Sequence, residues 1–251
     1  MLSGTRDGNE IIGLLKREGY NVLASAVTGY GATLARDAGS DDVVTGALNF
    51  SEMTDLIEKK NITAVVDATH PFAVNASKNA MTACKKTNVR YIRYERGSEI
   101  FPDNRLIYRV KGFKEASEKA VESGETIFYT AGSKNLEIFL ELARKKGRRL
   151  VARVLPDPLI VKKCIELGVS PKDIVTMQGA INKEMIKRMM QEYGANVLVT
   201  KDSGKVGGTG EKISAALDLR IPVVLIERPE IEYSKVTQDY EGILQFLSSG
   251  G

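Results

Sequence analysis

Short runs of Val, Ile and Tyr alternate with helical periodicity along the whole chain. This alternation limits the fold more than any other feature. The runs fall at residues 21–26, 42–45, 63–67, 90–93, 106–110, 126–129, 150–154, 173–176, 196–200 and 222–226. Several are apolar almost without a break, as strands buried on both faces are. Helical stretches fill the intervals. The last is the clearest, with Val236, Tyr240, Ile243, Leu244 and Leu247 on one helical face. Such a pattern predicts an α/β fold with parallel sheets flanked by helices. A loop carrying Gly97, Pro102 and Asn104 lies between two strand runs and marks a boundary. The expected domains are residues 1–97 and 98–251, both of ordinary domain size. Only Met1 and Leu2 precede the first polar turn, so the leading strand is expected to be short.

A formal net charge of +4 allows an anionic ligand without demanding nucleic acid. The densest basic run, Arg144-Lys145-Lys146-Gly147-Arg148-Arg149, joins a helix to the next strand. It therefore lies on the sheet edge opposite the strand-to-helix turns, where basic residues meet a helix C-terminus favourably. Cys84 and Cys164 fall on apolar helix faces and read as buried thiols, and with one histidine in the chain no metal site is expected. No apolar run approaches the roughly 20 residues that span a bilayer. A cytoplasmic location is expected.

In a parallel α/β sheet every strand-to-helix turn sits on one edge, where ligands bind. The unusual residues of this chain collect in those turns. The first is Ser3-Gly4-Thr5-Arg6-Asp7-Gly8, followed by a helix with Ile11, Ile12 and Leu15 on one face. Glycines and a helix N-terminus suit a phosphate, and they equally suit a plain tight turn. The next strand ends at Ser25-Ala26-Val27-Thr28 without the acid that an NAD site usually places there. If a dinucleotide binds, Ser25, Thr28 and Arg6 could serve a 2′-phosphate, which favours NADP over NAD. The third turn, Asp67-Ala68-Thr69-His70-Pro71, holds the only histidine of the chain. His70 reads either as a proton or hydrogen-bond donor or as a residue fixing its own turn. Two later turns, with Gly132, Ser133 and Lys134 and with Lys201, Asp202, Ser203, Gly204 and Lys205, form candidate anion cradles, and Arg153 ends another strand. The glycine spacing is not that of a P-loop, which disfavours ATP hydrolysis.

Taken together, these segments resemble the precorrin-6A reductase family, including its cobalt-precorrin-6A members. The resemblance rests on Gly4-Thr5-Arg6-Asp7-Gly8, Asp67-Ala68-Thr69-His70-Pro71-Phe72-Ala73, Arg90-Tyr91-Ile92-Arg93-Tyr94-Glu95-Arg96, Thr130-Ala131-Gly132-Ser133-Lys134, Ala152-Arg153-Val154-Leu155-Pro156, Met177-Gln178-Gly179, and Thr200-Lys201-Asp202-Ser203-Gly204 with Gly207-Gly208 and Glu211-Lys212. Ala180 stands where proline is expected after Met177-Gln178-Gly179. The resemblance implies two Rossmann-like domains, the first binding NADPH and the second contributing substrate binding. It implies reduction of one macrocycle double bond in the synthesis of the corrin ring of cobalamin. The implied substrate is a polycarboxylate tetrapyrrole, and the implied partners are neighbouring corrin-pathway enzymes, not nucleic acid or membrane. On this basis Gly4, Thr5, Arg6, Gly8, Ser25 and Thr28 are expected to hold the cofactor phosphates. Thr69, His70 and Pro71 are expected to face the nicotinamide, with His70 as proton donor. Arg93, Ser133, Lys134, Arg153, Lys201, Asp202 and Ser203 are expected to bind substrate carboxylates or close the site. The competing expectations are a cofactor-free lyase resembling uroporphyrinogen III synthase and a non-catalytic nucleotide-binding module.

Overall fold

The computed structural model describes residues 1–249 apart from 96, 98, 100, 102, 180, 205 and 206, so Lys205, Ala180 and part of the boundary loop lie outside the described residues. In chain order the elements are α1 (Arg6–Arg17), β1 (Leu23–Ala26), α2 (Gly29–Asp37), β2 (Asp42–Thr45), α3 (Phe50–Lys59), β3 (Ala64–Asp67), α4 (Val74–Thr87) and β4 (Arg90–Tyr94). Then come β5 (Ile107–Val110), α5 (Phe113–Ser123), β6 (Thr126–Tyr129), α6 (Leu136–Lys145), β7 (Arg149–Val154), α7 (Pro158–Glu166), β8 (Ile174–Thr176), α8 (Lys183–Glu192), β9 (Val197–Lys201), α9 (Thr209–Asp218) and β10 (Val223–Ile226). Last are β11 (Val236–Thr237) and α10 (Tyr240–Ser248). Each strand run read from the sequence forms a strand, with ends displaced by at most two residues. Among the described residues no helix is long and apolar enough to cross a membrane.

The chain forms two compact units, Met1–Gly97 with Pro229–Gly251, and Ser98–Arg228. The boundary near Gly97 is where the sequence puts it, but the assignment of all of 98–251 to one domain needs correction. Residues 229–251 return to the first unit because β11 pairs in parallel with β4 and α10 brings Ile243 and Phe246 into its core. Val236, expected on the final helix, lies in β11 and is exposed, since Asp239 caps α10 through the Gly242 amide and the helix starts after it.

In the first unit β1 pairs with β2, and β3, β4 and β11 form a second ladder, all parallel. Leu2 bridges the two, with partners at Ser25 and Asp67, so the abbreviated leading segment is the centre of one sheet. On one face Ala24, Val66 and Ile92 pack on Ile11, Ile12 and Leu15 of α1 and on α10. On the other, Val65 and Tyr91 pack on Met53 and Ile57 of α3 and on Ala80, Ala83 and Cys84 of α4. Burying each large aliphatic contributes about 1.5–3 kcal/mol. Helix α3 opens with a full capping box between Asn49 and Glu52, a cap of the type worth about 1 kcal/mol.

In the second unit the parallel order is β5-β10-β9-β6-β7-β8. Phe128, Val151, Leu198, Val223 and Leu225 face α8 and α9, burying Met190, Ile213 and Ala216 with them. The alternate residues face the other way, where Tyr129 stacks on Phe139 of α6 at 4.7 Å between centroids. The basic run ends α6 and begins β7, where Arg149 pairs with Asp173 at 2.7 Å, away from the strands' carboxyl ends.

Candidate functional site

In the first unit the chain leaves the central Leu2 toward β1 and β2, then crosses back to β3 on the other side. Such a reversal opens a crevice at the carboxyl ends of the two central strands, the usual ligand position in an open α/β sheet. The turns flanking it are 3–8 and 68–71, and Thr5 joins them. Its hydroxyl donates to the Ala68 carbonyl (2.9 Å) and accepts from the Gly8 amide (3.0 Å), capping α1. Thr5 is therefore a brace, with its side-chain hydrogen bonds already made. Gly4 has φ +119°, a conformation that side chains rarely adopt, and open space where a Cβ would stand. A Cβ on Gly8 would lie 2.7 Å from the Ser3 hydroxyl, so a glycine lets α1 start against the turn. The first turn of α1 thus faces the crevice with the positive end of a helix dipole. Arg6 is 79% exposed at that end, its Nε on Glu10 at 2.9 Å. Thr28 caps α2 at the end of β1, accepting from the Gly31 amide at 3.0 Å. Ser25 does not join them. Strand alternation turns it away from α1, and it lines an apolar cavity of about 40 Å³ with Leu48 and Met53.

Below the third turn lies a buried polar knot. The Asp67 carboxylate is 0% exposed and accepts from Arg93 Nη1 (2.9 Å), Ser77 Oγ (2.6 Å), Tyr91 Oη (2.7 Å), and the Thr69 amide (2.9 Å) and hydroxyl (2.7 Å). Burial pulls its pKa up, but Arg93 and the hydroxyls outweigh this and hold it below the ordinary value. Arg93 corrects an expectation. Its side chain is 1% exposed, and Nη1 also donates to Thr69 Oγ1 at 2.9 Å, with Tyr233 stacked at 5.3 Å. It cannot reach out to a substrate carboxylate; it anchors Thr69 and so the turn that carries His70. In that turn His70 Nδ1 accepts from the Phe72 amide (3.2 Å) and its carbonyl from the Ala73 amide (2.7 Å). Nδ1 is an acceptor, so the neutral ring carries its hydrogen on Nε2.

In the second unit the chain runs β6, β7, β8 to one side and returns to β9 on the other side of β6. The turns after β6 and β9 therefore flank a second switch point. They lie close together: a Cβ on Gly132 would stand 3.8 Å from Lys201 Nζ. Burial and then Lys134 push the Lys201 pKa down to about 8. Lys134 is exposed and Ser133 half-buried beside it. Arg153 donates through Nη2 to the Gly179 carbonyl at 2.9 Å, its pKa lowered by burial. The Asp202 carboxylate accepts from the Gly204 amide (3.2 Å) and pairs with Arg228 (3.5 Å), which shapes the turn. Ser203 closes the same turn, its amide donating to Thr209 Oγ1 at 3.0 Å. Lys212, in the first turn of α9, is 5% exposed beside these cations and was not among the expected site residues. Its signal was its place in the stripe Thr209, Lys212, Ile213, Ala216, which follows the i, i+3, i+4, i+7 pattern of a buried helix face.

Two doubly wound parallel sheets, one switch point fronted by a helix N-terminus and the other by cations, place this chain among the α/β folds that carry their ligand turns on the carboxyl edge. Comparison with known proteins gives the family. The description Precorrin-6x reductase CbiJ/CobK matches residues 1–248, and the chain belongs to that family of oxidoreductases. A cobalt-precorrin-6A reductase of Priestia megaterium is 40% identical over 98% of this chain and 96% of its own length. One from Methanocaldococcus jannaschii is 36% identical over 99% and 97%. The solved structure of a CobK precorrin-6A reductase shares the fold at a TM-score of 0.79, with 21% identity over 100% of this chain and 96% of its own. A reductase of this kind draws on a reduced nicotinamide cofactor.

Proposed function

We propose that this chain reduces one double bond of precorrin-6A or its cobalt form with NADPH, giving the dihydro macrocycle in corrin-ring synthesis in the cytoplasm. The observation that carries the reading is the gathering of Arg153, Lys201 and Lys134 on the carboxyl edge of one sheet in a reductase-family chain. Charge-assisted bonds from such cations suit a substrate that is a polycarboxylate.

The first unit suits the cofactor. Gly4, Gly8 and the first turn of α1 would hold the pyrophosphate, with Thr5 bracing them. Arg6 and Thr28 would meet the adenosine phosphate, because β1 ends without a carboxylate to repel it. When bound, a reduced nicotinamide supplies the hydride. The chain supplies binding, orientation and exclusion of water. Protonating His70 at Nδ1 would forfeit the Phe72 amide bond, so His70 serves better as an Nε2–H hydrogen-bond donor than as a proton source. His70→Ala is then expected to lower kcat about tenfold, the worth of one hydrogen bond, with the limbs of the pH profile unmoved. A lost limb would make His70 the proton donor.

The reading is tested anaerobically, by following loss of nicotinamide absorbance with metal-free and cobalt-bearing precorrin-6A. NADPH is expected to bind at least about tenfold tighter than NADH, one charge-assisted contact to the 2′-phosphate being sufficient. Equal affinity would overturn the choice of NADPH. No change in nicotinamide fluorescence on titration would favour the cofactor-free lyase.

A further inference from the structure

The first turn of α9 holds a lysine where an apolar side chain would be ordinary. Lys212 is 5% exposed. Arg153 from β7 and Lys201 from β9 act on it, and Glu99, from the segment before β5, opposes them. Thr200 and Arg153 share a face with α9: Thr200 follows Leu198 by two residues and Arg153 follows Val151, and both apolar residues pack with Ile213 of α9. The Thr200 hydroxyl and Arg153 Nε are buried without partners among the described residues. The cluster is rich in donors and poor in acceptors. Buried donors in this condition call for an ordered acceptor. The protein's own carboxylate shows which kind is tolerated: Glu99 Oε2 accepts from the Gly210 amide at 3.1 Å, at the end of a helix with no side-chain cap.

We infer that Lys212 is a substrate-recognition residue which, with Arg153, forms a subsite for one carboxylate of the macrocycle on the α9 face of the second unit's sheet, Lys201 adding charge from the end of β9. The inference rests on the reductase reading for the identity of the ligand, while the subsite itself rests on the cluster. Burial, then Arg153 and Lys201, push the Lys212 pKa down to about 7, against Glu99. A bound carboxylate favours the ammonium form. Binding therefore takes up a proton, and affinity weakens as pH rises above about 7.

The test uses K212M and K212Q in the full chain. Three quantities are measured: the Kd for NADPH by nicotinamide fluorescence, the Kd for uroporphyrin (a porphyrin octacarboxylate) by absorbance, and kcat and KM with cobalt-precorrin-6A. The expected result is a rise of about tenfold in the uroporphyrin Kd and in KM, with kcat and the NADPH Kd unchanged. The wild-type affinity break near pH 7 should vanish in both variants. Thermal midpoints should hold or rise, because a buried charge lying beside two like charges is removed. Unchanged KM and porphyrin affinity would overturn the inference, as would a raised NADPH Kd, which would give the subsite to the cofactor phosphate. Loss of fold in both variants would mark a structural cation and overturn it too. Wild-type chain that binds uroporphyrin through Lys212 yet oxidises no NADPH with either macrocycle would sink the reductase reading and leave the subsite standing.

Discussion

Arg93→Met is expected to destabilise the chain by about 3–5 kcal/mol, the loss typical of removing one partner from a buried ion pair. The argument starts from burial: Arg93 and Asp67 are 1% and 0% exposed and 2.9 Å apart. Without the guanidinium, Asp67 keeps its hydroxyl and amide donors but loses its counter-charge, and its pKa climbs. A carboxyl whose folded pKa lies below the unfolded value of about 4 stabilises above that pH and loses the contribution as pH falls through the folded value. Raising the folded pKa shrinks this loss, and reverses it once the folded value passes the unfolded one. Urea midpoints of Arg93→Met should therefore start lower than wild type near neutrality and fall less across the acid range. The double variant Asp67→Asn/Arg93→Met removes both charges and should recover part of the stability, since it is the orphaned charge that is most costly. Turnover should not recover with it, because Thr69 has lost Nη1 and the His70 turn has lost its anchor. A single variant as stable as wild type, with normal kcat/KM, would show that Arg93 is neither brace nor anchor.

That role was hidden in the sequence for a definable reason. Alternating apolar runs reveal strands, and the strands were legible to within two residues at each end. The carboxyl-edge turns followed from them, because parallel topology puts those turns on one edge whatever the strand order. Side-chain direction near a strand end did not follow. Arg93 lies next to Tyr94 in an apolar strand and reads as a cation at a strand tip. Only the pairing of β3 with β4, which sets Asp67 opposite Arg93, turns it inward. Ser25 failed the same way: a single residue's phase decides whether a hydroxyl meets the crevice or the α3 side. The return of residues 229–251 depends on β11, a two-residue strand with no periodicity to read. Lys212 was legible in principle, since a cation inside a buried helical stripe is anomalous.

Lys201→Met is expected to lower kcat/KM for the macrocycle about 10–100-fold, the range for losing a hydrogen bond to a charged group. Lys201 ends β9, the strand next to β6 at the switch point, and its ammonium sits against Gly132. Burial and Lys134 depress its pKa to about 8. Below that pH the ammonium form prevails and binds carboxylate; above it the free chain loses the charge and KM should climb. The variant should be weak throughout and show no break near pH 8. Stability should move the opposite way. A lysine with a depressed folded pKa holds fewer protons in the native state, so the chain gains stability as pH rises from about 8 toward the unfolded value of about 10.4. Removing the charge grants that gain at neutral pH, and Lys201→Met should melt above wild type there while turning over more slowly. This is the trade expected where a site concentrates like charges for an anionic ligand. Added salt should narrow the wild-type advantage in KM, because Lys134 and part of Lys201 face solvent and their attraction is screened. Wild-type KM that is flat across pH 8, together with an unchanged melting temperature in the variant, would remove Lys201 from substrate binding and leave the cations of the second unit without a shared purpose.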